Sequence, residues 1–410
     1  MPSREKTIAI IGQGYVGLPL AMAAVEAGWT VFGVENSPTK YALIASGKSP
    51  VEDVKDQLIA GALKSGKYKI SDTSISVAEA SIVVICVPTP LDDNRAPDIS
   101  LLESAVISIA PHVQSGTLVI SESTSYPGTV RDVVKPLIEK HKKSADISVD
   151  IAVAPERVNP GDAIYHQKNT PRLVGGLDAA STKRAVDFYS SICDQVVQVS
   201  SPEVAETAKL LENTFRLVNI ALVNQLAQLC ADQDINVHEV IEAAATKPYG
   251  YMKFTPSVGV GGHCIPVDPM YLSWWAENNG KSASIIDTSD AINVGMPLYI
   301  SSRVRQLITG ASKRVLIMGV AYKPGVKDVR ETPATALRDD LIAHGCEVAW
   351  IDPLVDEWDG SKPVDTQWLC DVVVVATAQP GLPVAEFSKR GVPILDCTGT
   401  FKDLPHVTRI

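Results

Sequence analysis

The sequence predicts an α/β fold in which two parallel-sheet domains are joined by a central helical domain with a long helix. Three observations carry this. Short apolar runs alternate with amphipathic stretches near both ends of the chain. A segment of roughly 30 residues after Pro202 lacks glycine and proline and keeps helical spacing. The length, 410 residues, exceeds what one hydrophobic core holds.

The chain opens with "TIAIIGQGYVGLPLAMAAVEAGWTVFGVEN". An apolar run, Ile8 to Ile11, ends at glycines. A small-residue segment (Leu18 to Ala27), Gly28 and a second apolar run (Thr30 to Val34) follow, which reads as strand, tight turn, helix, strand. "ASIVVICVPTP" (80–90), "GTLVISESTSYPGT" (116–129) and "DIAVAPERVNPGD" (150–162) read as further buried strands. Alternation with helical stretches implies a parallel sheet with helices on both faces. This first domain is placed at residues 1–200. The long helix starts at Ser201, a suitable N-cap, with Pro202 in its first turn. It serves as a spine between two domains or as a core helix, inside a central domain at 201–305. At Lys313 a new unit begins, "KRVLIMGVAYKPGVKDVRETPATALRDDLIAHGCEVAWIDP", and "CDVVVVATAQP" and "VPILDCTG" add strands. The C-terminal domain is placed at 306–410, so both ends are Rossmann-like.

Composition narrows the function. Hydrophobic residues at 45% and charged residues at 20% mark an ordinary globular chain. A net charge of -10 argues against a nucleic-acid partner, whose recognition needs basic patches. No apolar run approaches the roughly 20 residues of a membrane helix, and no secretory leader precedes the first strand, so a cytoplasmic location is expected. The seven cysteines are scattered and never spaced C-x-x-C, so neither a disulfide framework nor a metal site is expected, although His263 adjoins Cys264.

Several constellations point to chemistry. "GQGYVG" places Gly12, Gly14 and Gly17, with Tyr15 and Val16 between, at a strand-to-helix turn suited to a dinucleotide pyrophosphate. Glu35, at the end of the second strand, suits a ribose 2′-hydroxyl and repels a 2′-phosphate, which favours NAD over NADP. Lys40 stands on the adenosine side. Thr89 and Thr124 lie in segments that end strands, where ligands of such folds bind. Glu156, in "APER", would hold cofactor or activate water, or else pair with Arg157. Lys209 and Asn213, four apart on the long helix, share a face with Glu206 and Arg216 and suit an oxyanion. In "VGVGGHCIPVDP" (258–269), Gly259, Gly261 and Gly262 bare the backbone before Cys264, either for close approach of a substrate or for a tight turn. Asp268 lies four residues beyond the thiol.

Together these segments resemble the nucleotide-sugar 6-dehydrogenases, the UDP-glucose/UDP-mannuronate dehydrogenase family, across essentially the whole chain. The motifs are "GQGYVG", "VPTP", "ESTSYPGT", "APER", "AETAKLLENT", "FTPSVGVGGHCIPVDPMYL" and "GVAYKPGVKDVRETP". The resemblance implies an NAD domain, a helical middle that forms a homodimer, and a UDP-sugar-binding C-terminal domain. It also implies oxidation of a sugar C6 alcohol to a carboxylate with two NAD. Cys264 matches the nucleophile, which carries a thiohemiacetal and then a thioester. Lys209 and Asn213 match the oxyanion pair. Thr124, Glu156 and Asp268 match residues that place water and assist proton transfer. Phe254, Gly259, Gly261, Tyr322 and Lys323 match UDP-sugar contacts, and Arg330 matches an arginine reaching towards the cofactor. Val267 before Asp268 replaces the lysine usual in UDP-glucose enzymes, as in the N-acetylhexosamine branch. The segments "AATKPYGYMKF" and "VPTPLDDNRAPD" look closest to enzymes acting on UDP-N-acetylglucosamine, with UDP-N-acetylmannosamine and UDP-glucose as alternatives. Two rival classes are a two-electron hydroxy-acid dehydrogenase, which needs no cysteine, and a non-catalytic nucleotide-sugar and NAD sensor.

Overall fold

A computed structural model of the protein describes residues 6–157, 164–309 and 312–410. Its residues group into two compact units, Met1–Glu212 with Trp274–Asn279, and Asn213–Ser273 with Gly280–Ile410. Most of residues 213–305 group with the C-terminal sheet in the second unit. The physical reason is the helix Ser284–Leu307, whose Met296, Ile300 and Val304 share a core with the sheet residues Val315 and Ile317.

The first unit is built on eight strands: β1 (Thr7–Ile11), β2 (Thr30–Val34), β3 (Tyr68–Ser71), β4 (Ile82–Ile85), β5 (Thr117–Ser121), β6 (Val149–Val153), β7 (Arg172–Gly176) and β8 (Val196–Gln198). They are ordered β3-β2-β1-β4-β5-β6-β7-β8. The first six strands follow the doubly wound order, in which the chain reverses direction across the sheet between β1 and β4. Side-chain alternation fills both faces: Ile8 and Ile10 enter one core, Ala9 and Ile11 the other. The sheet is parallel, as expected, with one exception. β7 runs antiparallel to β6, with Ala152 opposite Gly176. An antiparallel strand is tolerated towards the edge of such a sheet because it needs no helical crossover. Residues 158–162 of the fifth predicted run lie outside the described residues.

The second unit carries β9 (Arg314–Met318), β10 (Glu347–Ile351), β11 (Val372–Val375), β12 (Ile394–Asp396) and β13 (Val407–Arg409). Their order is β10-β9-β11-β12-β13, and every pairing is parallel. Val315 and Ile317 face one core, Leu316 and Met318 the other. The long helix spans Pro202–Ala231, 30 residues, and Ser201 Oγ accepts the Val204 N–H, as the N-cap reading expected. Among the described residues, no helix is long and apolar enough to cross a membrane.

A close approach fixes the β9 turn. Gly319 has φ +77°, and a Cβ there would stand 1.9 Å from the Thr377 carbonyl oxygen. Gly319→Ala is therefore expected to lower unfolding free energy by about 2 kcal/mol or more, read as a denaturant midpoint shift. A midpoint equal to that of the parent would contradict this packing.

Candidate active site

In the first unit the glycine motif divides its labour. Gly12 has φ +88°, and a Cβ on it would meet the Cys86 carbonyl oxygen at 2.7 Å. A Cβ on Gly17 would meet the Gly12 carbonyl oxygen at 1.9 Å, so the helix Gly17–Glu26 can pack on its strand only with glycine there. Gly14 differs, because its Cβ direction faces open space. Protein packing does not call for glycine there, and the open space suits the close approach of a pyrophosphate. Tyr15 is partly exposed beside it, and Val16 is the residue before the helix.

Glu35 is buried at the end of β2, where its carboxylate accepts the Gln13 N–H at 3.0 Å and the Ser37 N–H at 2.9 Å. It thus holds the glycine turn as well as standing where a ribose would lie, and two acceptor oxygens leave lone pairs for both tasks. Sequence reasoning missed Gln13. Its Nε2 donates to the Ile10 carbonyl, and its Oε1 accepts from buried Tyr68. Burial, then the Glu35 charge, push the Tyr68 phenol far up, which keeps it a donor. Lys40 lies on the helix Pro38–Ala45, where its backbone N–H donates to Ser37 Oγ. These residues fit NAD: a bare turn, a helix N-terminus and a carboxylate at the second strand end.

The structure brings Thr89 and Thr124 together: Thr89 Oγ1 donates to the Thr124 carbonyl at 2.7 Å. Beside them Ser123 Oγ donates to the Val87 carbonyl at 2.7 Å. Glu156 does not pair with Arg157, which bonds Glu212 instead. Its ion partner is buried Arg172, at 3.9 Å, which also lies 3.5 Å from Glu122. Glu122 in turn accepts from the Tyr189 hydroxyl. No local spacing could have revealed a pair drawn from β7. Burial, then the Glu122 charge, push the Cys86 thiol well up, so this cysteine is inert.

In the second unit Cys264 is the one exposed cysteine of the seven. Its carbonyl accepts the Asp268 N–H at 2.9 Å, one turn before the helix Asp268–Asn278. The Asp268 side chain is buried and accepts from Asn213 Nδ2 at 2.6 Å, so two predicted site residues meet. Lys209, one turn earlier on the long helix, is also buried.

The glycines before Cys264, expected either for substrate approach or for a tight turn, are packed closely by neighbouring protein, and Gly262 has φ +82°. A Cβ on Gly261 would meet the Glu331 carbonyl at 2.6 Å, and one on Gly262 would meet the Tyr322 ring at 2.8 Å. On Gly259, φ +144°, it would meet the Asn293 carbonyl at 3.0 Å. These bare positions accommodate neighbouring protein atoms. Burial, then the charge of Asp328, pushes the Tyr322 phenol up. Lys323 Nζ lies 5.8 Å from the same ring. Arg330 forms a two-pronged pair with Asp328, and burial with the Arg330 charge holds the His263 imidazole low and neutral. Phe254 packs edge-on to Phe215 at 5.9 Å between centroids, against the cluster of Val223, Ala227 and Ile241. Among the described residues, no three His, Cys, Asp or Glu side chains gather as a metal site.

Two substitutions separate packing from binding. Gly14→Ala is expected to leave thermal stability within about 0.5 kcal/mol and weaken NAD binding about tenfold, measured by titration. Gly261→Ala is expected to cost about 2 kcal/mol and to slow alkylation of Cys264, because the loop must leave Tyr322. Strong destabilisation by Gly14→Ala would remove the case for a ligand there.

Three stretches match, in order, the NAD binding domain (residues 6–193), the central domain (203–294) and the UDP binding domain (316–398) of one family. Over 352 residues the chain is 36% identical to the UDP-N-acetyl-D-mannosamine dehydrogenase of Methanocaldococcus jannaschii, covering 85% of this chain and 79% of that protein. Identity to the Escherichia coli K12 protein of the same name is 33%, over 86% of each chain. The solved structure of the UDP-D-ManNAc dehydrogenase of Pyrococcus horikoshii matches with a TM-score of 0.88 at 30% identity, over 98% and 99% of the two chains. This chain therefore belongs to the UDP-glucose/GDP-mannose dehydrogenase family and is an NAD-dependent oxidoreductase acting on a nucleotide sugar.

Proposed function

We propose that the protein oxidises the C6 hydroxyl of UDP-N-acetylmannosamine to the uronic acid, in two steps on one cysteine. The observation that carries this reading is Cys264, an exposed thiol on a loop fixed by packing and followed by the buried Asn213–Asp268 pair. A two-electron dehydrogenase has no use for such a thiol. The sugar follows the names of the relatives, which support UDP-N-acetylmannosamine over the UDP-N-acetylglucosamine expected from sequence segments.

NAD, when bound by the Gly12–Gly17 turn and Glu35, takes up a hydride from the sugar carbon in each oxidation. Lys209 and Asn213 stabilise negative charge on the sugar oxygen as its proton leaves. The Cys264 sulfur then bonds to the aldehyde carbon, and the resulting thiohemiacetal keeps the half-oxidised sugar on the protein. Loss of a second hydride and a proton gives the thioester. Water, placed by Thr124, Glu156 and Asp268, adds to it; the carbon–sulfur bond breaks, releasing the carboxylate and the thiol. Tyr322, Lys323 and the amides of Gly259 and Gly261 bind the nucleotide sugar, with Phe254 backing the segment.

The protein acts as a homodimer on this reading. Leu211, Phe215, Leu222 and Leu229 recur at spacings of four and seven along the long helix and are all exposed, with Leu222 at 61%. Such a seam fits a second copy of the same helix. Leu222→Glu is expected to shift sedimentation from dimer to monomer; a monomeric parent would overturn the assembly.

A panel of UDP-N-acetylmannosamine, UDP-N-acetylglucosamine, UDP-N-acetylgalactosamine and UDP-glucose, with NADH counted per sugar, tests the activity. The first should give the highest kcat/KM and two NADH per sugar. Cys264→Ser should lower kcat by a factor of about a thousand or more. One NADH per sugar, or a serine variant of near-parental rate, would sink the covalent mechanism.

A further inference from the structure

Glu206 has no part in the chemistry described so far, yet it is 2% exposed and spends both carboxylate oxygens on one distant loop. Oε2 accepts the Gly128 N–H at 2.7 Å, and Oε1 accepts the Val130 N–H at 3.1 Å. These amides open the helical stretch that starts as a π-helical turn, Val130–Val134, and continues as Lys135–His141. A helix start normally takes its cap from the preceding residue. Thr129 could supply one, but its backbone is already helical and its hydroxyl donates to the Tyr126 carbonyl at 2.7 Å. The local cap is forgone for one that arrives from the long helix, 78 and 76 residues away in sequence.

That choice has a cost. Burial pushes the Glu206 carboxyl up to about 7, although the amides of Gly128 and Val130 pull it down. A neutral residue would be cheaper to bury. Two neighbouring contacts fasten the same loop. The Tyr126 ring packs on Trp274 at 4.9 Å between centroids, and Arg131 pairs with Glu203 at 2.6 Å. The other end of the loop is tied to the β4 side through Thr89 and Ser123.

We infer that Glu206 is a positioning residue: its carboxylate locks the Ser123–Thr129 loop, and with it Thr124, to the turn of the long helix that carries Lys209. Lys209 is three residues further along the same helix, so the carboxylate sets the register between the two groups. The inference rests on the proposed roles of Thr124 and Lys209 at the reacting sugar. A shift of about 1 Å between such groups costs about a hundredfold in rate.

The test compares the full-length parent with Glu206→Gln and Glu206→Asp. Glutamine keeps the shape but offers one acceptor and turns an N–H donor towards the second amide. Expected for Glu206→Gln is a kcat loss of about tenfold or more, a KM for UDP-N-acetylmannosamine within about twofold, and a melting temperature within about 3 °C. Hydrogen exchange at Gly128 and Val130 should accelerate. Glu206→Asp, which keeps the charge, should recover part of kcat. An unchanged kcat, or a loss that follows a lowered melting temperature with no recovery in the aspartate variant, would overturn the inference. If the glutamine variant does not fold, the aspartate variant decides alone: lower kcat at unchanged KM supports the role, and parental kcat overturns it. A parent that reduces no NAD with any UDP-sugar defeats the functional reading separately. Exchange at the two amides then still decides the clamp, and unchanged exchange in Glu206→Gln overturns it.

Discussion

The contact between Gly261, Gly262 and the Tyr322 ring is the constraint on which the candidate site depends. A loop carrying a reactive thiol must present it to a substrate and still hold it in one place. Exposure alone would leave the segment free to move. Here the backbone itself is the packing surface, pressed against Tyr322, the Glu331 carbonyl and Pro333. Cys264 stays exposed because its neighbours, not its own side chain, carry the packing. The other six cysteines show the opposite arrangement, with thiols buried or half-buried.

The two sheets solve the same problem twice. In each, the first strand ends in a left-handed glycine set against a carbonyl from the adjoining segment: Gly12 against Cys86, and Gly319 against Thr377. In each, an acid at the end of the neighbouring strand accepts amides of that turn. Glu35 takes the Gln13 N–H, and Asp352 takes those of Val320 and Ala321. Carboxylate–amide bonds of this kind are stronger than neutral ones, and they order a turn that no side-chain packing could hold. The first turn leaves Gly14 facing open space, whereas the second leads directly into Tyr322 and Lys323. One architecture thus yields a cofactor cradle in one unit and support for the cysteine loop in the other.

Buried charge is the third theme. Arg172 stands among Glu122, Glu156 and Tyr189, and Asp268 is held by Asn213. Each group would be costly alone, and each has a charged or hydrogen-bonding partner. Partnered charges cannot reorient freely, so the acids of the proposed mechanism are held in place by the protein itself. Preorganisation of this sort is where most electrostatic rate enhancement originates.

The sequence by itself determined the strand periodicity, the long helix with its Ser201 cap and the glycine turn between the first strand and its helix. All of these depend on local spacing, which a linear reading can see. It could not show that β7 turns antiparallel, that Arg172 rather than Arg157 faces Glu156, or that Glu206 caps a helix in another part of the chain. Nor could it tell a glycine bared for substrate from one bared for Tyr322. These depend on contacts between residues far apart in the chain, and only the folded backbone decides which atom occupies the space beside a missing side chain.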